Sequence, residues 1–197
     1  MTALRRSDLD PDPLRQLDRW RSEAADAGVD TSVVVLATAA ADGQPSARMV
    51  LVKGLDDGIF RFFTNYESRK AAELAGNPLA ALLFHWPGRQ VRIEGSVARL
   101  PGAESDAYFD SRPPGSRLSA AVSPQSRPVE SRASLEEAVE RIREQYPDGA
   151  VPRPDTWGGY RLDPHTYEFW QHDQHRMHDR FRYTSADGAW VVARLGP

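Results

Sequence analysis

A series of short apolar segments, joined by two-residue turn signals, constrains the fold of this chain more than any other feature. The segment SVVVLATA over residues 32–39 is rich in the β-branched residues that strands favour. Turn dipeptides separate this segment and the later ones, at Asp42-Gly43, Asp57-Gly58, Pro87-Gly88 and Asp187-Gly188. Because tight turns join antiparallel neighbours, the sequence predicts an antiparallel sheet that curls into a barrel.

The same patterns give the predicted elements. We predict strands over Ser32–Ala39, Ala47–Lys53, Ile59–Thr64, Leu79–Trp86, Gln90–Leu100, Gly159–Leu162, Thr166–Gln171, Arg180–Thr184 and Trp190–Leu195. Helices are predicted over Asp12–Ala27 with Asp12 as N-cap, from Ser68 to Gly76, over Ala103–Ser111, and from Ser134, with Glu137 completing a capping box, to about Tyr146. The fold class is therefore α+β. We expect one domain over residues 1–197, with an N-terminal helical segment (1–30) and C-terminal strands (155–197).

Composition excludes several classes of function. With 40% hydrophobic and 27% charged residues, the chain has the values of a globular protein. Its net charge of −3 is too small for non-specific attraction to nucleic acid or to a membrane surface. The absence of cysteine excludes disulfides and thiol catalysis. No apolar run approaches the ~18 residues of a membrane span, and the N-terminus lacks the apolar core of a secretory signal. We therefore expect a soluble, cytoplasmic protein.

Lysine is rare, since only Lys53 and Lys70 occur among the 25 cationic residues. A retained lysine suits a position that requires a compact ammonium, although two surface lysines are an alternative interpretation. Ser68-Arg69-Lys70 places two cations in the first turn of a predicted helix, where the helix dipole disfavours each by roughly 0.3–1 kcal/mol. This arrangement favours an anion docked on the helix N-terminus, with a solvated helix end as the alternative.

A second pair of cations, Arg48 and Lys53, lies on one predicted strand. Their odd spacing places them on opposite faces of an unbroken strand. Both can contact one ligand only if Lys53 lies at the strand end or at a bulge, or if two subunits share the site.

Tyr108, Arg112 and Ser116 form a third polar set. Tyr108 and Arg112 are four residues apart on a helical turn, and we expect the following Pro-Pro-Gly turn to fold Ser116 back toward them. Two hydroxyls and a guanidinium suit a phosphate group.

Three histidines, His172, His175 and His178, fall within seven residues near the C-terminus. On a helix they would share a face and could bind a metal. The flanking segments are typical of strands, however, and the sequence places no further ligand beside them. We therefore predict no metal site, but a loop of polar groups that contact a substrate.

Taken in order, these segments resemble the pyridoxamine 5′-phosphate oxidases. The matching segments are ARMVLVK, FFTNYESRKAAEL, RQVRIEG, YFDSRPPGSRLSAAVSPQS, WGGYRL and EFWQHDQHRMHDRFRY, from about residue 10 to the C-terminus. The resemblance implies an FMN-binding split β-barrel with peripheral helices, working as a homodimer with FMN at the subunit interface. It also implies oxidation of pyridoxamine or pyridoxine 5′-phosphate to pyridoxal 5′-phosphate by O2, with release of H2O2.

The resemblance also implies residue roles. FMN would contact Arg48, Met49, Val50, Leu51, Val52, Lys53, Phe63, Thr64, Arg69, Lys70, Gln90, Gln125, Ser126, Trp170 and Arg180. The substrate phosphate would contact Lys53, Tyr108, Arg112 and Ser116. Arg176 and His178 would be the catalytic pair and hold the pyridine ring over the flavin. Lys53 is thus expected to bridge the two ligands.

Two departures from the family pattern keep alternatives open. His172-Asp173 stands where the family usually has two glycines, and the chain begins almost at its first helix, so we expect the arm that covers the substrate to be shortened or absent. Both departures favour a related flavin oxidase of secondary metabolism, of the phenazine-pathway type. A protein that binds FMN or pyridoxal phosphate without turnover is the other alternative.

Overall fold

Eight antiparallel strands form one continuous sheet in the computed structural model, which describes residues 2–54 and 57–197. The strands are β1 (Val33–Ala39), β2 (Pro45–Lys53), β3 (Phe60–Asn65), β4 (Leu79–Trp86), β5 (Arg89–Arg99), β6 (Trp157–Gln171), β7 (Asp179–Ala186) and β8 (Ala189–Leu195). The helices are α1 (Pro13–Asp26), α2 (Arg69–Gly76), α3 (Gly102–Asp110), α4 (Pro114–Val122) and α5 (Arg132–Gln145), and a short 3-10 turn covers Arg6–Asp8.

Six of these strands close into the predicted barrel. The order is β3-β2-β1-β4-β5-β6, and a further pairing of β3 with β6 completes the ring. Strands β7 and β8 extend the sheet outward from β6. The antiparallel split barrel with peripheral helices is thereby confirmed.

Strand β6 is the longest element and belongs to both parts of the sheet. Its first half pairs with β3, its second half pairs with β7, and β5 pairs along its length. Our prediction of two strands here was wrong, because β6 continues through Pro164 without a break. Pro164 lies opposite Gly95 at a β-bulge, where a proline is tolerated, and a side chain at Gly95 would collide with the backbone of Asp163.

The barrel interior is filled by side chains that alternate inward along the strands. Among the fully buried ones are Leu36, Phe60 and Phe84. Helix α1 covers one end, because its apolar face is buried and Trp20 packs edge-on against Phe169 with ring centroids 5.3 Å apart. The core therefore holds the strands that carry the candidate site in a fixed register.

Two details of the helices differ from the sequence prediction. The Pro113-Pro114-Gly115 segment does not make a turn but starts α4, because proline is favoured in the first turn of a helix. Helix α5 begins at Arg132, two residues before the predicted start at Ser134. Ser131 caps it, since Oγ of Ser131 accepts the N–H of Ser134 at 3.0 Å, so the predicted box of Ser134 with Glu137 is wrong.

Among the described residues, no helix has the length and apolarity needed to cross a bilayer. The single domain over residues 1–197 stays a prediction.

Candidate functional site

A cleft of about 410 Å³ opens beside β2 and β3, under helices α3 and α4. This volume falls in the usual range for small-molecule sites, ~300–1,000 Å³. We call it the cation cleft, and its lining is Arg48, Met49, Val50, Leu51, Phe63, Thr64, Lys70, Tyr108, Arg112, Pro113, Ser116, Gln125 and Trp157. All but Pro113 and Trp157 are predicted ligand-binding residues, so the fold brings members of three of the predicted polar sets into one cavity.

Lys70 is the buried cation at one end of the cation cleft. Its Nζ donates to Oε1 of Gln125 at 2.6 Å and to Oγ1 of Thr64 at 2.9 Å. Ser68 occupies the predicted N-cap position, but its hydroxyl lies 3.3 Å from the Lys70 ammonium and caps no helical N–H. Burial, assisted by the nearby charge of Arg48, lowers the pKa of Lys70 to about 8. The site thus holds an ammonium that a bound anion would stabilise.

Glu73 links two predicted cofactor-binding cations. Its Oε2 lies 3.1 Å from Nη2 of Arg48, and its Oε1 accepts from Nε of Arg69 at 2.8 Å. Burial favours the neutral acid, but hydrogen bonds from two hydroxyls and the Arg69 guanidinium outweigh it and lower the pKa of Glu73 to about 2. Glu73 is therefore an ionised counter-ion that fixes both arginines. Glu73 was not among the predicted site residues, although its spacing of four residues from Arg69 was a signal.

Arg112 is the cation at the other end of the cleft. Its guanidinium lies over the ring of Trp157, 4.7 Å from the centroid, and its buried Nη1 has no hydrogen-bond partner among the described residues. Burial lowers the pKa of Arg112. A buried guanidinium N–H is costly without a partner, so this group is suited to receive an anionic ligand.

Aromatic rings form an apolar wall beside Arg112. Phe63 stacks on Tyr108 with ring centroids 3.9 Å apart and on Trp157 with centroids 5.6 Å apart. Gly159 permits this packing, because a Cβ there would lie 2.7 Å from the Phe63 ring. Trp157 was missed by the sequence analysis, since an aromatic residue at the start of a strand carries no signal for a ligand site.

A separate group of predicted residues lies across β5, β6 and β7. Gln90 is the register partner of Trp170, which is in turn the partner of Arg180, so the three form one row across the sheet. Glu168, which is buried, holds Arg180, accepting from Nε at 3.0 Å and from Nη2 at 2.8 Å. The carbonyl of Gly196 accepts from Nη1 of Arg180.

The predicted catalytic residues lie next to this row, in a segment over residues 172–178 that we call the histidine loop. It joins β6 to β7 and is not helical, so the arrangement of three histidines on one helix face does not form. The ring of His178 lies 4.7 Å from that of Trp170. Arg176 is exposed and has a left-handed backbone, with φ of 64°.

The structure leaves other predicted residues outside the lining of the cation cleft. Val52 buries its side chain in the barrel core, so the expected contact could come only from its backbone. Lys53 is the last residue of β2, which is the strand-end position that its spacing from Arg48 required. Arg69 does not line the cleft, but it donates to Glu73, which pairs with the cleft residue Arg48. Ser126 follows the cleft residue Gln125 and has a left-handed backbone, with φ of 71°.

Sequence comparison places the chain among known proteins. A protein-family model described as pyridoxamine 5′-phosphate oxidase matches residues 22–146. A second family model, described as the pyridoxine 5′-phosphate oxidase C-terminal dimerisation region, matches residues 157–197. The pyridoxine/pyridoxamine 5′-phosphate oxidase of Paraburkholderia phymatum is 54% identical, with 97% of this chain and 92% of that protein covered. The protein of the same name from Salinibacter ruber is 51% identical, covering 98% and 93%.

Solved structures agree with these matches. PhzG from Burkholderia lata, in complex with tetrahydrophenazine-1-carboxylic acid, superposes with a TM-score of 0.92 at 31% identity, covering 100% of this chain and 99% of that one. An FMN-binding protein from Nostoc punctiforme, related to pyridoxamine 5′-phosphate oxidase, shares the fold with a TM-score of 0.73 at 20% identity, covering 94% and 98%. The chain therefore belongs to the pyridoxamine 5′-phosphate oxidase family of oxidoreductases.

Proposed function

We propose that this protein is an FMN-dependent oxidase that converts pyridoxamine or pyridoxine 5′-phosphate to pyridoxal 5′-phosphate, with O2 as oxidant and H2O2 as by-product. The observation that carries the proposal is the presence of two cationic centres in one cleft. One is Lys70 with Arg48, and the other is Arg112. Two phosphate esters, one from the cofactor and one from the substrate, need two such centres.

The Lys70 end fits the phosphate of FMN. Lys70 and Arg48 supply charge, and Thr64 and Gln125 supply hydrogen-bonding groups around the ammonium. A dianionic phosphate would stabilise the charged form of Lys70, which burial now disfavours. When bound, FMN supplies the hydride acceptor that this side-chain set lacks.

The Arg112 end fits the substrate phosphate. The unpartnered Nη1 of Arg112 would donate to a phosphate oxygen, and Tyr108 and Ser116 line the same part of the cleft. The stacked rings of Phe63 and Trp157 would exclude water from one side of a flat heterocycle. Arg176 and His178 would orient the ring and its amino or hydroxyl arm.

We infer that two chains share each site. The cation cleft includes Trp157 at one end of β6, whereas Trp170 lies at the other end, thirteen residues further on. At ~3.3 Å per residue this is a contour of roughly 43 Å, which no side chain spans. Met49 and Leu51 line the cleft yet are 60% and 50% exposed, as expected of residues that a second copy covers. A homodimer would place the histidine loop of one subunit at the cation cleft of the other.

The likeness to PhzG supports a second candidate, an oxidase of tricyclic carboxylic acids. The aromatic wall of Phe63, Tyr108 and Trp157 would accept a flat ring system, and Arg112 would pair with a carboxylate. The polar group at Ser116 favours a phosphate instead, because it adds a third polar side chain around the anion.

The test is turnover by the purified protein reconstituted with FMN. We expect oxygen-dependent formation of pyridoxal 5′-phosphate and peroxide from pyridoxamine 5′-phosphate, and far weaker use of unphosphorylated pyridoxamine. Turnover of a tetrahydrophenazine carboxylic acid in its place would favour the second candidate. FMN binding with no turnover of either compound would indicate a binding protein.

A further inference from the structure

The histidine loop contains one residue, Asp173, whose three polar groups are all used inside the loop. Its backbone N–H donates to Nδ1 of His178 at 3.1 Å, and its carbonyl accepts the N–H of Arg176 at 3.2 Å. Its side chain accepts the N–H of His175 through Oδ1 at 2.8 Å. A side chain that binds the backbone two residues ahead makes an Asx turn, which fixes the direction of the chain.

The first of these bonds determines the proton position on His178. A backbone N–H can only donate, so Nδ1 of His178 must accept. The neutral ring then carries its proton on Nε2, and the second nitrogen is presented as a donor.

The other two bonds hold Arg176 in an unfavourable conformation. A non-glycine residue with φ of 64° costs on the order of 1 kcal/mol or more, and such a residue persists only when its surroundings fix it. Arg176 is exposed, so packing against the core does not fix it. The turn made by Asp173 therefore holds the backbone of Arg176 in this conformation.

We propose that Asp173 is a positioning residue, whose Asx turn holds Arg176 and the Nε2–H form of His178 in place for turnover. This inference rests on the proposed function, in which Arg176 and His178 contact the substrate. The carboxylate of Asp173 binds the loop backbone. The backbone N–H of His175 lowers the pKa of Asp173, burial opposes this shift, and the N–H of Met177 adds to it.

Two variants separate the turn from the charge. Asp173→Ala removes the acceptor for the N–H of His175, whereas Asp173→Asn keeps a carbonyl oxygen there and removes only the charge. Asp42→Ala is the matched control, because Oδ1 of Asp42 accepts the N–H of Gln44 at 3.0 Å in the same kind of turn, in the hairpin between β1 and β2.

The measurements use the FMN-loaded protein. In Asp173→Ala we expect kcat for pyridoxamine 5′-phosphate to fall about three- to tenfold, which corresponds to the loss of one hydrogen bond. KM should change less, and FMN affinity should not change. Histidine ¹⁵N shifts should show His178 as the Nε2–H form in the wild type and in Asp173→Asn, and a mixture of forms in Asp173→Ala. Asp42→Ala should match the wild type in both measurements.

Two results would overturn the proposal. One is an Asp173→Ala protein with wild-type kcat and wild-type His178 shifts. The other is an Asp173→Asn protein as impaired as Asp173→Ala, because the charge and not the turn would then matter. If the wild type does not oxidise pyridoxamine 5′-phosphate, the proposed function fails, and the ¹⁵N shifts alone decide the role of Asp173.

Discussion

The cation cleft and the histidine loop hold their charged groups in opposite ways. In the cation cleft, Lys70 and Arg48 lie on regular elements, and buried Glu73 pairs with Arg48 as its counter-ion. In the histidine loop, Arg176 is exposed on a strained backbone that local hydrogen bonds maintain. Regular elements and a partly buried ion pair hold the first arrangement, whereas the second depends on a few hydrogen bonds within seven residues.

This difference suggests a division of labour. Anion binding benefits from cations that are already desolvated and oriented, because less reorganisation is then needed on binding. Groups that contact the reacting part of a substrate are commonly carried on loops over a rigid scaffold. Changes in the cation cleft should therefore alter affinities, and changes in the histidine loop should alter turnover.

The sharpest test of this division is Arg112→Ala. Losing a charge-assisted contact of about 1.5–3 kcal/mol should raise KM for pyridoxamine 5′-phosphate by tenfold to over a hundredfold. FMN affinity, measured by fluorescence titration, should not change, because Lys70 and Arg48 remain. Arg132→Ala, which removes an exposed arginine from α5, is the control. Loss of FMN with unchanged KM would reverse the assignment of the two ends.

Lys70→Met tests the other end of the cleft. We expect FMN affinity to fall at least tenfold, since a charged phosphate contact is lost. The apoprotein should gain about 2–4 °C in Tm, because methionine fills the space of a buried ammonium without its desolvation cost. A lower Tm in calorimetry would show that hydrogen bonds to Thr64 and Gln125 outweigh the desolvation of Lys70.

FMN binding should also depend on pH through Lys70. Its pKa is lowered to about 8, so the ammonium loses its proton as pH rises through 8, while the FMN phosphate stays dianionic because its second pKa is ~6. Affinity should therefore be greatest near pH 7, between the two pKa values, and fall by up to about tenfold per unit above pH 8. Lys70→Met should lack this step. An identical step in that variant would assign it to another group.

The smallest effect is expected for Arg69→Ala. Arg69 is 59% exposed and already paired with Glu73, so we expect FMN affinity to fall only about two- to fivefold. Arg132→Ala breaks an equivalent ion pair four residues apart, with Glu136, and should leave FMN binding unchanged. A hundredfold loss in Arg69→Ala would mean that Arg69 contacts the phosphate directly.

Much of the fold was predictable because the turn dipeptides mark the hairpins. The errors have physical causes. Pro164 is tolerated because β6 carries a bulge there, opposite Gly95 of β5, and this pairing is not visible in the local sequence of β6. In the site, the cations were visible in the sequence, and Glu73 was visible only through its spacing from Arg69. The contact of Glu73 with Arg48 and the role of Trp157 were not, because they arise from packing between elements distant in the chain. The Asx turn of Asp173 is local in sequence. The hydrogen bond from the backbone N–H of Asp173 to His178, however, could be identified only from the structure.

The central claim is that the cation cleft of one subunit and the histidine loop of its partner form one site. Its most direct test is the activity of a mixed dimer, purified through two different tags, of Arg112→Ala and His178→Ala chains. With substrate well below the wild-type KM and FMN at limiting concentration, each variant alone should be nearly inactive, whereas the mixed dimer contains one intact site and should recover about half of the wild-type activity. A mixed dimer of Arg112→Ala with Lys70→Met, both altered in the cleft, should stay inactive. If the first mixed dimer is as inactive as its parents, each site lies within one chain and the claim is wrong.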